Sequence, residues 1–136
     1  MSSSEIQNTI FPKGEKASAD YFVGNAWVKN LVAANDGFNM TIGNVTFERG
    51  ARNNWHTHPG GQILIVTDGV GYYQEKGKPR QVLRKGDVVK IQPDVVHWHG
   101  ATQDTEFTHI AVNANTQNGI VVWLDRVTDE EYNSLS

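Results

Sequence analysis

All five histidines of the chain fall between positions 56 and 109: His56, His58, His97, His99 and His109. In an extended chain, side chains alternate between the two faces. His56 and His58 therefore point the same way, and Thr57 points the other. Pro59-Gly60-Gly61 turns the chain sharply, which lets Gln62 sit beside the pair and offer its side-chain oxygen. His97 and His99 also share one face, and only one of them need reach the same point. Imidazole nitrogens suit manganese, iron, cobalt, nickel and zinc, and an amide oxygen suits the harder manganese and iron. The pattern predicts a divalent-metal site. Four protein donors leave one or two positions open on a five- or six-coordinate ion, as catalysis at a metal requires. The donors include no carboxylate, so the ion would keep its full charge toward a substrate.

The positioning elements read as short strands. The chain has 136 residues, 38% of them hydrophobic and 13 of them glycine, which suits one domain with many turns. There is no cysteine, so a metal site must use nitrogen and oxygen. A formal net charge of −3 argues against nucleic-acid binding. The basic residues Lys76, Lys78, Arg80, Arg84 and Lys85 near Tyr72 and Tyr73 read as a solvated hairpin. No apolar run is long enough to span a membrane. The first residues lack a basic segment followed by an apolar one, and the expectation is a cytoplasmic protein.

Residues 1–18 read as an N-terminal arm with a short strand at Ile10-Phe11, and 19–136 as one domain. Strands are expected at Tyr21-Phe22-Val23, Ala26-Trp27-Val28, 38–42, 44–47, 54–58, 62–67, 71–75, 81–83, 87–91, 95–99, 105–112 and 119–124. Turn signals separate them, among them Asp68-Gly69, Lys85-Gly86-Asp87 and Gln92-Pro93-Asp94. So many short strands mean an antiparallel sandwich or barrel. One short helix is expected near the C-terminus, capped by Thr128 with Glu131 completing a capping box.

The motifs resemble a known family. Gly50, His56, His58, Gln62 and Gly69 stand at the spacing of the first cupin motif, and Gly86, Pro93 and His97 match the second. Pro93 is one place late, the second motif's inner glycine is missing, and Ala101 stands where asparagine is usual. The likeness spans about residues 20–125. It implies an all-β cupin barrel (double-stranded β-helix or jelly-roll) of two antiparallel sheets, with one metal ion inside. Most cupins have glutamate where this chain has Gln62. The run from Trp55 to Gln62, with His97-Trp98-His99-Gly100, resembles the small bacterial manganese-containing cupins with hydroxynitrile lyase activity. Their close relatives are often described as carboxymuconolactone-decarboxylase-associated cupins. The resemblance implies His56, His58, Gln62 and His97 as ligands of one divalent ion per chain, manganese first, with iron, zinc or nickel as alternatives. It implies His109 as the acid/base that takes the hydroxyl proton of a cyanohydrin as it splits into aldehyde and cyanide. A metal dioxygenase and a non-catalytic cupin that holds a metal or small ligand are the competing readings.

Parity fills in the surroundings. Asn113 shares a face with His109, so the two enter a substrate pocket together. Val45 and Phe47 share a face and are candidate pocket walls, and Asn53 is a candidate for the pocket mouth. His99 is expected behind the ligands as a support. Trp55 and Trp98 point away from the ligands and should pack behind them. The expected partner is a small-molecule substrate. Apolar N-terminal strands such as Tyr21-Phe22-Val23 suggest pairing of copies into a homodimer or homotetramer.

Overall fold

The computed structural model describes residues 10–134. Twelve strands build a curled antiparallel structure: β1 (Glu15–Lys16), β2 (Phe22–Val23), β3 (Ala26–Val32), β4 (Thr41–Phe47), β5 (Arg52–Asn53), β6 (His56–Thr57), β7 (Gln62–Glu75), β8 (Gln81–Arg84), β9 (Val88–Ile91), β10 (His97–Ala101), β11 (Phe107–Asn113) and β12 (Val122–Trp123). The main path runs β1-β3-β4-β11-β7-β10-β5-β2. Strands β8 and β9 pair with β7, and β6 bridges β10 and β12. This is the expected all-β barrel of two antiparallel faces.

The long strand β7 joins the two faces. The sequence suggests two strands parted by a turn at Asp68-Gly69, but β7 passes through this point without a break. The register against β11 slips between Thr108 and His109, where the strand bends. Gly69 makes the bend possible: its φ is +74°, and a Cβ there would lie 1.9 Å from the Glu106 carbonyl oxygen. Near the N-terminus, Ile10 and Phe11 form a bend rather than a strand. The strand of this segment is β1, which pairs with β3 through Glu15↔Val28 and Lys16↔Trp27. Residues 38–40 also lie outside strands, so β4 begins at Thr41.

Two apolar clusters flank the histidines. Phe47, Leu64, Val66, Tyr73 and Phe107 belong to the larger one, inside the barrel. Gln62, Leu64 and Val66 alternate inward while Ile63 and Ile65 face out, so the parity that buries Leu64 also carries Gln62 to the interior. The smaller cluster holds Trp55, Trp98, Val127 and Tyr132. Trp98 is fully buried there, on the face of β10 opposite its two histidines, as parity predicts. Its indole N–H donates to Gln74 Oε1 at 3.0 Å.

The lid of this cluster is the helix α1 (Asp129–Asn133). Thr128 caps it as expected: its hydroxyl accepts from the Glu131 amide at 3.1 Å, and Glu131 Oε1 accepts from the Thr128 amide at 2.9 Å. Buried Arg52 ties the segment down by donating to the Val127 carbonyl at 2.8 Å and to Asp129 at 2.7 Å. Trp98→Ala should cost about 3–5 kcal/mol from the cavity it leaves, whereas Thr128→Ala should cost about 1 kcal/mol. Urea denaturation of both variants checks the order, and equal losses would mean that Trp98 is not a packing centre.

Candidate metal centre

Three imidazoles are aimed by backbone carbonyls. His56 Nδ1 lies 2.7 Å from the Asn54 oxygen, His58 Nδ1 lies 2.7 Å from the Ile120 oxygen, and His97 Nδ1 lies 2.8 Å from the Val95 oxygen. A carbonyl only accepts, so each Nδ1 carries the proton and each Nε2 keeps a lone pair. This is the arrangement of metal-bound histidines, whose other nitrogen is fixed by a hydrogen bond. The rings crowd together, with centroids 4.2 Å apart for His56 and His97 and 4.9 Å apart for His56 and His58.

Two features point to a cation here. His58 Nε2 is buried and has no hydrogen-bond partner. His97 Nε2 lies 3.3 Å from Gln62 Oε1, while Gln62 Nε2 donates to Asn113 Oδ1 at 2.9 Å. With its Nδ1 protonated, His97 presents a lone pair to another acceptor. Two acceptors facing each other repel, and a positive ion shared between them removes the conflict. Nitrogen atoms of His56, His97 and His99 also lie within 4.8 Å of one another. The residues therefore fit a divalent ion with nitrogen and neutral oxygen donors.

His99 is held differently. Its Nδ1 lies 2.9 Å from His109 Nε2, so one ring donates to the other and the two form a buried pair. Asn53 Oδ1 accepts from the His99 backbone amide at 2.9 Å. Asn53 Nδ2 is 3.2 Å from both ring nitrogens of His99, so it sits over the ring face rather than in line with either lone pair. His109 is fully buried against the rings of Phe47 and Phe107, and its Nδ1 has no hydrogen-bond partner.

Burial dominates the electrostatics. It pushes the proton affinity of His109 down to about 3 and that of His97 down to about 4. Burial also lowers those of His56, His58 and His99, and in His56 the neighbouring His97 and His58 add to the effect. At neutral pH all five rings are uncharged, which is the form that binds metal or takes up a proton.

A cavity of about 220 Å³ opens onto this cluster. His56, His58, Gln62, His99, His109, Asn53 and Asn113 face it on the polar side, and Val28, Ile42, Val45, Ala111 and Val121 line the apolar side. Phe22 and Trp123 complete the wall. His97 and Phe47 are not among the lining residues. Phe47 is instead buried beneath the His99–His109 pair, a core position and not the pocket wall that parity allowed. Asn53 is 2% exposed and supports His99 from inside, deeper than a residue at the mouth. Sequence reasoning missed Phe22, Trp123 and Thr41. Trp123 stands opposite His56 in the β12–β6 pairing and stacks on Tyr21 with centroids 4.7 Å apart. That pairing joins distant parts of the chain, and no local pattern announces it.

Comparison with known proteins agrees with this geometry. The family model described as "Cupin domain" matches residues 43–113. An (R)-mandelonitrile lyase of Granulicella tundricola is 44% identical over 128 residues, covering 94% of this chain and 98% of that protein. A cupin-like protein of Thermotoga maritima, solved by crystallography, is 54% identical with a TM-score of 0.92, covering 95% of this chain and 98% of its own. A predicted oxalate decarboxylase of the same organism shares the fold at 20% identity, with a TM-score of 0.65 over 81% of this chain and 91% of its own.

The depressed histidines set an acid limit on stability. Unfolded imidazoles take up protons near pH 6.5, whereas folded His97 and His109 do so only near 4 and 3. Between these values the unfolded chain binds more protons, so stability falls as the pH drops. The melting temperature of chelator-treated protein should therefore decline from about pH 6.5 downward, ahead of the carboxylate range near pH 4. A flat profile between pH 7 and 5 would contradict the buried neutral cluster.

Proposed function

The chain belongs to the cupin family, and from that footing we propose that it is a metal-dependent lyase that splits cyanohydrins such as mandelonitrile into an aldehyde and cyanide. The observation that carries the reading is the neutral donor set around one cavity, taken with the name of the 44%-identical relative. His56, His58, Gln62 and His97 would hold the ion, and the resemblance to manganese-containing cupins puts manganese first among the metals that imidazole and amide oxygen accept. His58 is preferred to His99 because its Nε2 is free and its Nδ1 is pinned to a carbonyl, whereas His99 Nδ1 is engaged by His109. When bound, the ion supplies Lewis-acid stabilisation of negative charge developing on the substrate oxygen.

The rest of the chemistry belongs to the side chains. His109 is neutral and lines the cavity, and its Nδ1 is buried without a hydrogen-bond partner. It takes the hydroxyl proton at Nδ1 while its Nε2–H donates to His99. The oxygen lone pair closes to a carbonyl as the carbon–carbon bond breaks and its electron pair leaves on cyanide. His109 then returns the proton, and hydrogen cyanide departs with the aldehyde. Val28, Ile42, Val45 and Val121 exclude water from the organic group of the substrate.

Manganese-loaded protein should release benzaldehyde from mandelonitrile, followed by absorbance. His109→Ala should lower the rate about 10²–10⁴-fold with the bound manganese unchanged. An unaltered rate would remove His109 from the mechanism, and no release by the wild type would sink the lyase reading.

Assembly into homo-oligomers is part of the same proposal. Phe22 packs on Phe47 and lines the cavity, while β2 ends the strand path beside β5 and Tyr21 stays exposed. Ile63, Ile65 and Val88 lie exposed together on the outer face of β7 and β9, and offer a second apolar surface. Light scattering should report a dimer or tetramer that Ile65→Lys weakens. A monomeric wild type would refute this.

A further inference from the structure

Thr41, Asn113 and Gln62 form one row across three neighbouring strands. Asn113 stands directly opposite Thr41 on β4 and directly opposite Gln62 on β7. Strand pairing therefore sets the three side chains at hydrogen-bonding distance before any ligand arrives. Asn113 Nδ2 donates to Thr41 Oγ1 at 3.0 Å, and Gln62 Nε2 donates to Asn113 Oδ1 at 2.9 Å. Both ends of the Asn113 amide are thus engaged, one on each side. The other end of the Gln62 amide, its oxygen, is left facing His97 Nε2 at 3.3 Å.

That orientation opposes the local preference. In the absence of an ion, a Gln62 amide free to rotate would turn its NH2 toward the His97 lone pair and make a hydrogen bond. The acceptor offered by Asn113 holds the NH2 on the opposite side. We infer that Asn113 is a positioning residue: it keeps the Gln62 oxygen turned toward the imidazoles, ready to bind metal, with Thr41 steadying it from the far side. A chain with glutamate at this place would need no such device, because both carboxylate oxygens can ligate. The neutral amide needs one, because only one of its two ends can. The inference rests on the metal-holding part of the reading above, and not on which reaction follows.

The test measures manganese(II) affinity by competition with a chelator, for Asn113→Leu and Asn113→Asp, each with Gln62 intact and with Gln62→Ala. Asn113→Leu removes the acceptor and should weaken binding about 10–100-fold, the usual effect of losing a partner that orients a ligand. Asn113→Asp keeps the shape and only accepts, so Gln62 still turns its NH2 outward and affinity should be kept or increased. With Gln62→Ala in place, Asn113→Leu should cause no further loss. Unchanged affinity in Asn113→Leu would overturn the inference. So would an equal loss in the Gln62→Ala background, which would mark a packing effect. A wild type that binds no manganese would overturn both the metal reading and this one. A wild type that binds manganese without cleaving mandelonitrile would sink the lyase reading alone and leave the affinity comparison to decide.

Discussion

The site depends on three backbone carbonyls. Those of Asn54, Val95 and Ile120 each accept a proton from an imidazole Nδ1, and so decide which nitrogen of His56, His97 and His58 faces inward. An imidazole left to itself can carry its proton on either nitrogen, and a ring with the wrong tautomer cannot ligate. Two of the carbonyls lie two residues before the histidine they hold, so the extended backbone around each ring supplies its own brace. The third comes from the far end of the chain.

Strand parity made much of this legible in the sequence. A period of two puts His56 with His58, Gln62 with Leu64, and His109 with Asn113, and the structure keeps each of those pairs on one face. The capping box at Thr128 was readable because it is local. Parity failed where a position needs more than a face. It gave Val45 and Phe47 the same direction, but Val45 reaches the cavity while Phe47, two residues deeper, ends beneath a ring pair. The joining of two expected strands into β7 could not be read either. Asp68-Gly69 is a turn signal by composition, and only the neighbouring strand β11 converts it into a bend within one strand. The His99–His109 contact arises from the meeting of β10 and β11 across the barrel interior, which no short-range pattern encodes.

Among the described residues, the cavity is lined by no lysine, arginine, aspartate or glutamate. Its polarity comes from imidazoles, amides and one threonine hydroxyl, all neutral at physiological pH. In such surroundings a bound ion is the one strong charge, and little competes with it for an oxygen atom of the ligand. Burial, helped by the neighbouring imidazoles, keeps these rings uncharged.

The bond from His58 to the Ile120 carbonyl carries a consequence for where the domain can be cut. The stretch that matches the family model ends at residue 113 and contains every histidine. Yet the brace for His58 lies beyond it, as do Trp123 against His56 and the Arg52 anchor at Val127. A chain cut after β11 would therefore keep all five histidines and lose the carbonyl that orients His58, the indole against His56 and the anchor of Arg52.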